Sequence, residues 1–197
     1  MKKLLLASFL STCAFAQVNF STSTTNLPIR PGQSATVTLS VSGTTAVAGV
    51  QWQLSTPPTG IGITYTTPLT SKNIDCLPTG VKCVVAALNT TTIPAGSSVA
   101  IATITVAANV APGNIPLTWS GFVAATPTAS PATIGTTPPT LTIKVLKKSD
   151  LNGDGTTDLL DYAIAISQVL GTTACTTADL DGNNVCDVVD VLGFSQP

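Results

Sequence analysis

The sequence predicts a mainly β chain, an antiparallel sandwich over residues 17–146, closed at 147–197 by a small α module built on two acidic loops. Three observations carry that reading. From Gln17 to Leu146 the chain is largely Thr, Val, Ala, Ile and Ser, punctuated by Pro and Gly, and β-branched residues suit the pleated, half-buried surface of a sheet. Apolar residues there recur with period two, and no helical period competes. Eight of the nine carboxylates fall at residue 150 or beyond, in two clusters, and the chain has no Glu.

Residues 1–16 read as a secretory signal, with Lys2-Lys3, an apolar core from Leu4 to Leu10 and the A-x-A site Ala14-Phe15-Ala16. A mature chain beginning at Gln17, secreted or held at the cell surface, is expected. Leu10-Ser11-Thr12-Cys13 also resembles a lipoprotein cleavage box, which would place a lipid on Cys13. No later segment reaches the ~18 uninterrupted apolar residues of a membrane span.

Strand patterns follow in order: Ala35-Val37-Leu39-Val41, then Val50-Trp52-Leu54 with Gln51 and Gln53 opposite, then Val99-Ile101-Thr103-Thr105, and finally Leu141-Ile143-Val145. Turn residues separate them at Pro31-Gly32, Ser42-Gly43, Pro94-Ala95-Gly96, Pro112-Gly113 and Pro138-Pro139. Short strands between such turns predict about nine strands in two sheets packed face to face. Trp52 and Trp119 share their period with aliphatic neighbours and are expected in the core, rather than as a sugar-stacking platform.

Beyond the signal four cysteines remain, an even number in an oxidising compartment. Cys76 and Cys83 flank a turn-forming insert and are expected to pair, as are Cys175 and Cys186. Closing so short a loop contributes roughly 2.5 kcal/mol in the chain-entropy model. Zinc-type thiolate binding is disfavoured because the chain has no His and no C-x-x-C. Net charge is −1 with no basic patch, which argues against nucleic acid and anionic membranes as partners. Catalysis is disfavoured too. Glycoside hydrolysis needs two carboxylates about the scissile bond, and outside the two clusters only Asp75 remains.

The clusters have a spacing that points to a metal. Calcium takes six to eight oxygens, and a helix–loop–helix site draws them from loop positions 1, 3, 5, 7, 9 and 12. In the first loop those positions are Asp150, Asn152, Asp154, the Thr156 carbonyl, Asp158 and Asp161; in the second they are Asp179, Asp181, Asn183, the Val185 carbonyl, Asp187 and Asp190. Gly155 occupies the sharp turn at position 6 of the first loop, and Asn184, of the residue type best suited after Gly to the left-handed region, replaces it in the second. Two calcium ions are therefore expected. Without them each loop's carboxylates repel, at about 1–3 kcal/mol per close pair, so that folding and metal uptake should be coupled. A helix is expected from Asp158 to Leu170, ending at Gly171, and a shorter one from about Asp187 to Phe194.

These duplicated loops of form D-x-N-x-D-G, with Asp at position 12, resemble a type I dockerin over about Ser149 to Gln196. The resemblance implies F-hand-type calcium loops and docking onto a cohesin-bearing extracellular protein. It also assigns partner choice to loop positions 10 and 11. Those positions hold Leu159-Leu160 and Val188-Val189, where well-studied dockerins often have Ser-Thr, and so imply a different partner set. The near-identity of the pairs would permit binding in two orientations. Packing of these pairs between the helices is the competing reading.

The order of segments in the body resembles the cohesins: Pro31-Gly-Gln-Ser-Ala-Thr-Val-Thr-Leu, Val47-Ala-Gly-Val-Gln-Trp-Gln-Leu, Val84-Val-Ala-Ala-Leu, Ile93-Pro-Ala-Gly-Ser-Ser-Val-Ala-Ile-Ala-Thr-Ile-Thr-Val and Leu141-Thr-Ile-Lys-Val. That resemblance implies a jelly-roll sandwich, close in fold to some carbohydrate-binding modules, with a dockerin-bearing partner. The reading is a non-catalytic adaptor, linked by association to extracellular polysaccharide breakdown. The alternative is a carbohydrate-binding or adhesive surface protein. One chain holding both halves is also expected to permit calcium-dependent self-association. The short linker from Lys144 to Ser149 should bring Lys144, Lys147 and Lys148 close to the first loop.

Overall fold

The computed structural model describes residues 17–77, 81–87, 90–181 and 183–194; the expected signal sequence, with Cys13, lies outside them. Period-two burial shapes the body. One sheet has the order β1 (Val18–Thr22), β3 (Ser34–Gly43), β8 (Ser98–Val106), β5 (Ile61–Thr66). A second runs β10 (Trp119–Ala125), β4 (Gly49–Leu54), β7 (Lys82–Ala86), β6 (Asn73–Cys76), and a third β2 (Asn26–Ile29), β11 (Leu141–Val145), β9 (Gly113–Leu117). Their inner faces close on one core that includes Phe20, Leu39, Trp52, Leu54, Ile104, Leu117 and Leu141. Trp52 is 0 % exposed and Trp119 6 %, as the alternation predicts. An aromatic side chain that deep carries about 3–5 kcal/mol against truncation to Ala.

The expected nine antiparallel strands in two sheets are corrected in three respects. The described residues form eleven strands in three hydrogen-bonded sets. One pair is parallel, with Leu27 of β2 opposite Ile143 of β11 and Ile29 opposite Val145. The third set is short because both its outer strands carry a proline, Pro28 in β2 and Pro116 in β9, and a residue without an N–H is confined to a sheet edge. In β8 the inward residues are Ala100, Ala102, Ile104 and Val106 rather than the Val99-Ile101-Thr103-Thr105 set, whose other members are half-buried or exposed. A register shift opposite Leu39 and Ser40 turns Val99 inward as well.

The Cys76–Cys83 disulfide joins β6 to β7, where the two cysteines are directly opposed. β11 continues to Val145, and the N–H of the buried Leu146 donates to Ile29 O at 2.9 Å. The linker is therefore shorter than expected, because Lys144 and Val145 belong to the sheet. Beyond it, α1 (Leu159–Val169) and α2 (Val188–Gly193) pack around a second, small core of Leu151, Ala165 and Ala178. Both helices lie within their expected spans, with Asp158 and Asp187 as N-caps. A core of that size is marginal, and the Cys175–Cys186 disulfide ties it together. Among the described residues no helix is long and apolar enough to cross a membrane.

Candidate metal loops and the exposed helix face

The two acidic loops share one hydrogen-bond pattern at the carboxylate that closes each of them. At position 1, Asp150 accepts from Gly153 N at 2.9 Å and Gly155 N at 2.8 Å. Asp179 accepts from Asn183 N at 3.0 Å and Asn184 N at 2.9 Å. At position 12, Asp161 Oδ1 accepts from Leu151 N at 2.6 Å and Asn152 N at 2.9 Å, while Oδ2 accepts from Asp158 N at 2.9 Å. Asp190 makes the matching three bonds, with Leu180 N, Asp181 N and Asp187 N. Backbone N–H groups thus converge on the carboxylate that closes each loop. Asp150, Asp161 and Asp190 are each 1 % exposed or less.

The remaining expected ligands lie along the same loops. Asn152 Oδ1 accepts from Asp154 N and Asn183 Oδ1 from Val185 N. Asp154 accepts from both the hydroxyl and the N–H of Thr156, and these bonds, with Asn152 and the Lys144 charge, hold its carboxyl below the ordinary range. Asp158 and Asp187 cap the helices, accepting from Leu160 N and Val189 N. Gly155 at φ +97° and Asn184 at φ +65° make the two turns in the left-handed region. One oxygen each from Asp179, Asp181 and Asp190 lies within 4.8 Å of the others. Three carboxylates that close repel strongly. A donor set made of oxygen alone fits a hard divalent cation such as calcium and not a thiolate- or imidazole-seeking metal.

The apolar pairs stand on the surface. Leu159 is 83 % exposed, Leu160 63 %, Val188 64 % and Val189 53 %, so packing between the helices is not their role. The inward face of α1 is instead Asp161, Ala165 and Gln168, and this spacing of i, i+4, i+7 points the two leucines elsewhere.

Two residues escaped the sequence reading. Gln168 is buried, and its Oε1 accepts from Thr176 N, Thr177 N and Ala178 N while its Nε2 donates to Thr177 Oγ1. Its place on the Asp161–Ala165 face was the available signal. Arg30, just after β2, points from the sandwich towards the module, with Nη1 3.5 Å from Thr177 O. Burial lowers its guanidinium pKa, and the Asp150 and Asp161 carboxylates pull it back up. Nothing local in the sequence marks it.

No protein-family model and no curated protein matches the chain. Solved structures do. A type I cohesin from Pseudobacteroides cellulosolvens aligns at TM-score 0.51 and 16 % identity, over 66 % of this chain and 93 % of its own. The cohesin module of a family 33 glycoside hydrolase from Clostridium perfringens aligns at 0.53 and 12 %, over 68 % and 98 %. A chain of a type I cohesin–dockerin complex from Clostridium thermocellum aligns at 0.50 and 9 %, over 68 % and 94 %. Identities this low speak to architecture, and the architecture of the body is a cohesin-like β-sandwich.

Proposed function

We propose that this chain is a secreted, non-catalytic docking protein of the cohesin–dockerin type. In this reading the C-terminal module folds on two calcium ions and docks onto a cohesin-bearing extracellular partner, while the sandwich offers a second surface to a dockerin-bearing one. One observation carries the proposal: the two loops repeat, position by position, the three backbone bonds to the carboxylate at position 12, and each presents an exposed apolar pair at positions 10 and 11. Calcium, when bound, supplies positive charge to each cluster. The residues do the rest: Asp161 and Asp190 gather the loop N–H groups, Asp158 and Asp187 start the helices, and Leu159, Leu160, Val188 and Val189 form the docking face. Near-identical pairs allow the module to dock either way round. The cohesin-like fold and its occurrence in a cohesin–dockerin complex support a docking role for the body. Burial of Trp52 and Trp119 leaves the carbohydrate-binding alternative without its candidate aromatic platform. Having both halves in one chain also permits calcium-dependent head-to-tail self-association, and heterologous contacts of that kind give rings or filaments.

The test is a pull-down of type I cohesins, and of secreted proteins of the source organism, by the immobilised whole chain. Calcium should retain a cohesin-bearing partner and EGTA release it. The double variant Asp150→Ala, Asp179→Ala should lose retention while keeping the near-ultraviolet signal of its sandwich tryptophans. Calcium-dependent retention by that variant would contradict the proposal.

A further inference from the structure

The edges of a sheet carry unpaired backbone groups, and natural chains guard them with proline, charge or a covering segment. Most edges of the body are guarded in this way. Val18 N of β1 donates to Thr133 O and Phe20 N to Thr136 O, each at 2.9 Å. Pro131 and Ala132 meet the end of β10. Pro28 and Pro116 sit in β2 and β9, and the short β6 bears the exposed Asp75. β5, with the sequence Ile61-Gly-Ile-Thr-Tyr-Thr, has neither charge nor proline, and it pairs with β8 alone. Ala107 N donates to Gly60 O, and bonded and non-bonded pairs alternate along an antiparallel ladder. Gly62, Thr64 and Thr66, opposite Thr105, Thr103 and Ile101, therefore turn their backbone groups towards β8. Those of Ile63 and Tyr65 point to the open side, where among the described residues nothing bonds to them.

We propose that β5 pairs antiparallel with β5 of a second copy of this chain, about a two-fold axis at Thr64, so that two sheets become one. The contact needs no metal and is independent of the docking proposed above. In this register Ile63 faces Tyr65 of the second copy and the two exchange both backbone bonds, which satisfies the open N–H and C=O groups on each side. Thr64 faces its own equivalent in a non-bonded pair, where the side chains come closest, and cross-strand threonines pair favourably. Gly62 faces Thr66 on the same outer side, and all three residues are exposed. The second copy is the fitting occupant because the register is self-complementary and the strand holds no ionisable group to repel its equivalent. The interface is isologous and closes at two chains.

Sedimentation equilibrium of the whole chain, carried to roughly 1 mM, reads its mass with calcium chloride and with EGTA. A dimer is expected in both, which separates this contact from the calcium-dependent head-to-tail one. Thr64→Lys sets two like charges on the axis and is expected to weaken the dimer by roughly tenfold or more. Thr36→Lys, in the same row of the sheet but on β3, is expected to stay within about twofold of the wild type. Thr64→Cys is expected to cross-link two copies on oxidation, because the axis brings the sulfurs within disulfide reach, whereas Thr36→Cys is not. The cross-link reads the register even where the added charge disturbs the fold. A monomer throughout the series, a dimer present only with calcium, equal weakening by both lysine variants, or no cross-link at position 64 would each overturn the inference.

Discussion

The side-chain oxygen of Gln168 accepts from three consecutive backbone N–H groups, at 2.9 Å from Thr176, 3.0 Å from Thr177 and 3.1 Å from Ala178. That stretch joins the loops without regular structure, so its donors have no ladder to enter, and a buried donor without an acceptor costs about 1–3 kcal/mol. Gln168→Ala should therefore destabilise the module by about 2–4 kcal/mol once water reaches part of the vacated site. The measurement is thermal loss of far-ultraviolet helix signal, with the Trp52 and Trp119 bands of the sandwich melting where they do in the wild type. Gln168→Glu, which keeps an acceptor oxygen, should be less damaging than Ala. Asn184 makes the complementary point, since its positive φ was foreseeable from residue type alone.

α1 and α2 begin alike, each with an Asp N-cap and a second Asp closing a capping box. What they expose is therefore a repeated face rather than two unrelated patches. Replacing Leu159 and Leu160 with Ser should leave helix content unchanged, because neither side chain enters the small core, and should cost little affinity if the Val188–Val189 half can dock instead. Changing all four to Ser should remove docking, with a loss of tenfold or more expected for a buried apolar patch (~1.4 kcal/mol or above). Surface-immobilised cohesin, titrated with each variant, checks both outcomes. Legibility in the sequence followed locality. The hydrogen-bonded loops follow from acidic and amide residues within twelve consecutive positions, and β3 and β11 could be read because only one face of each is strongly apolar. β8 lies between β3 and β5 and is largely apolar on both faces, so period two could not choose its inner side. The pairing of β2 with β11, and the contact of Arg30 with Thr177, join distant segments, and no short window of sequence contains such information.

The molecule has two unequal parts on one short junction. The sandwich has an extensive core of its own, whereas the module relies on three buried apolar side chains, a disulfide and its acidic loops. The parallel pairing of β2 with β11 also governs how the body bears tension. Pulled from its two ends, the chain drags these strands in opposite directions along a common axis, and their hydrogen bonds must shear together instead of unzipping singly. Thr142 N donates to Thr25 O at 2.8 Å and Leu146 N to Ile29 O at 2.9 Å within that clamp. In single-molecule stretching the sandwich should rupture in one high-force event, and Thr142→Pro, which deletes a donor, should lower the peak. A chain under tension would then yield last where its second and last strands lie side by side.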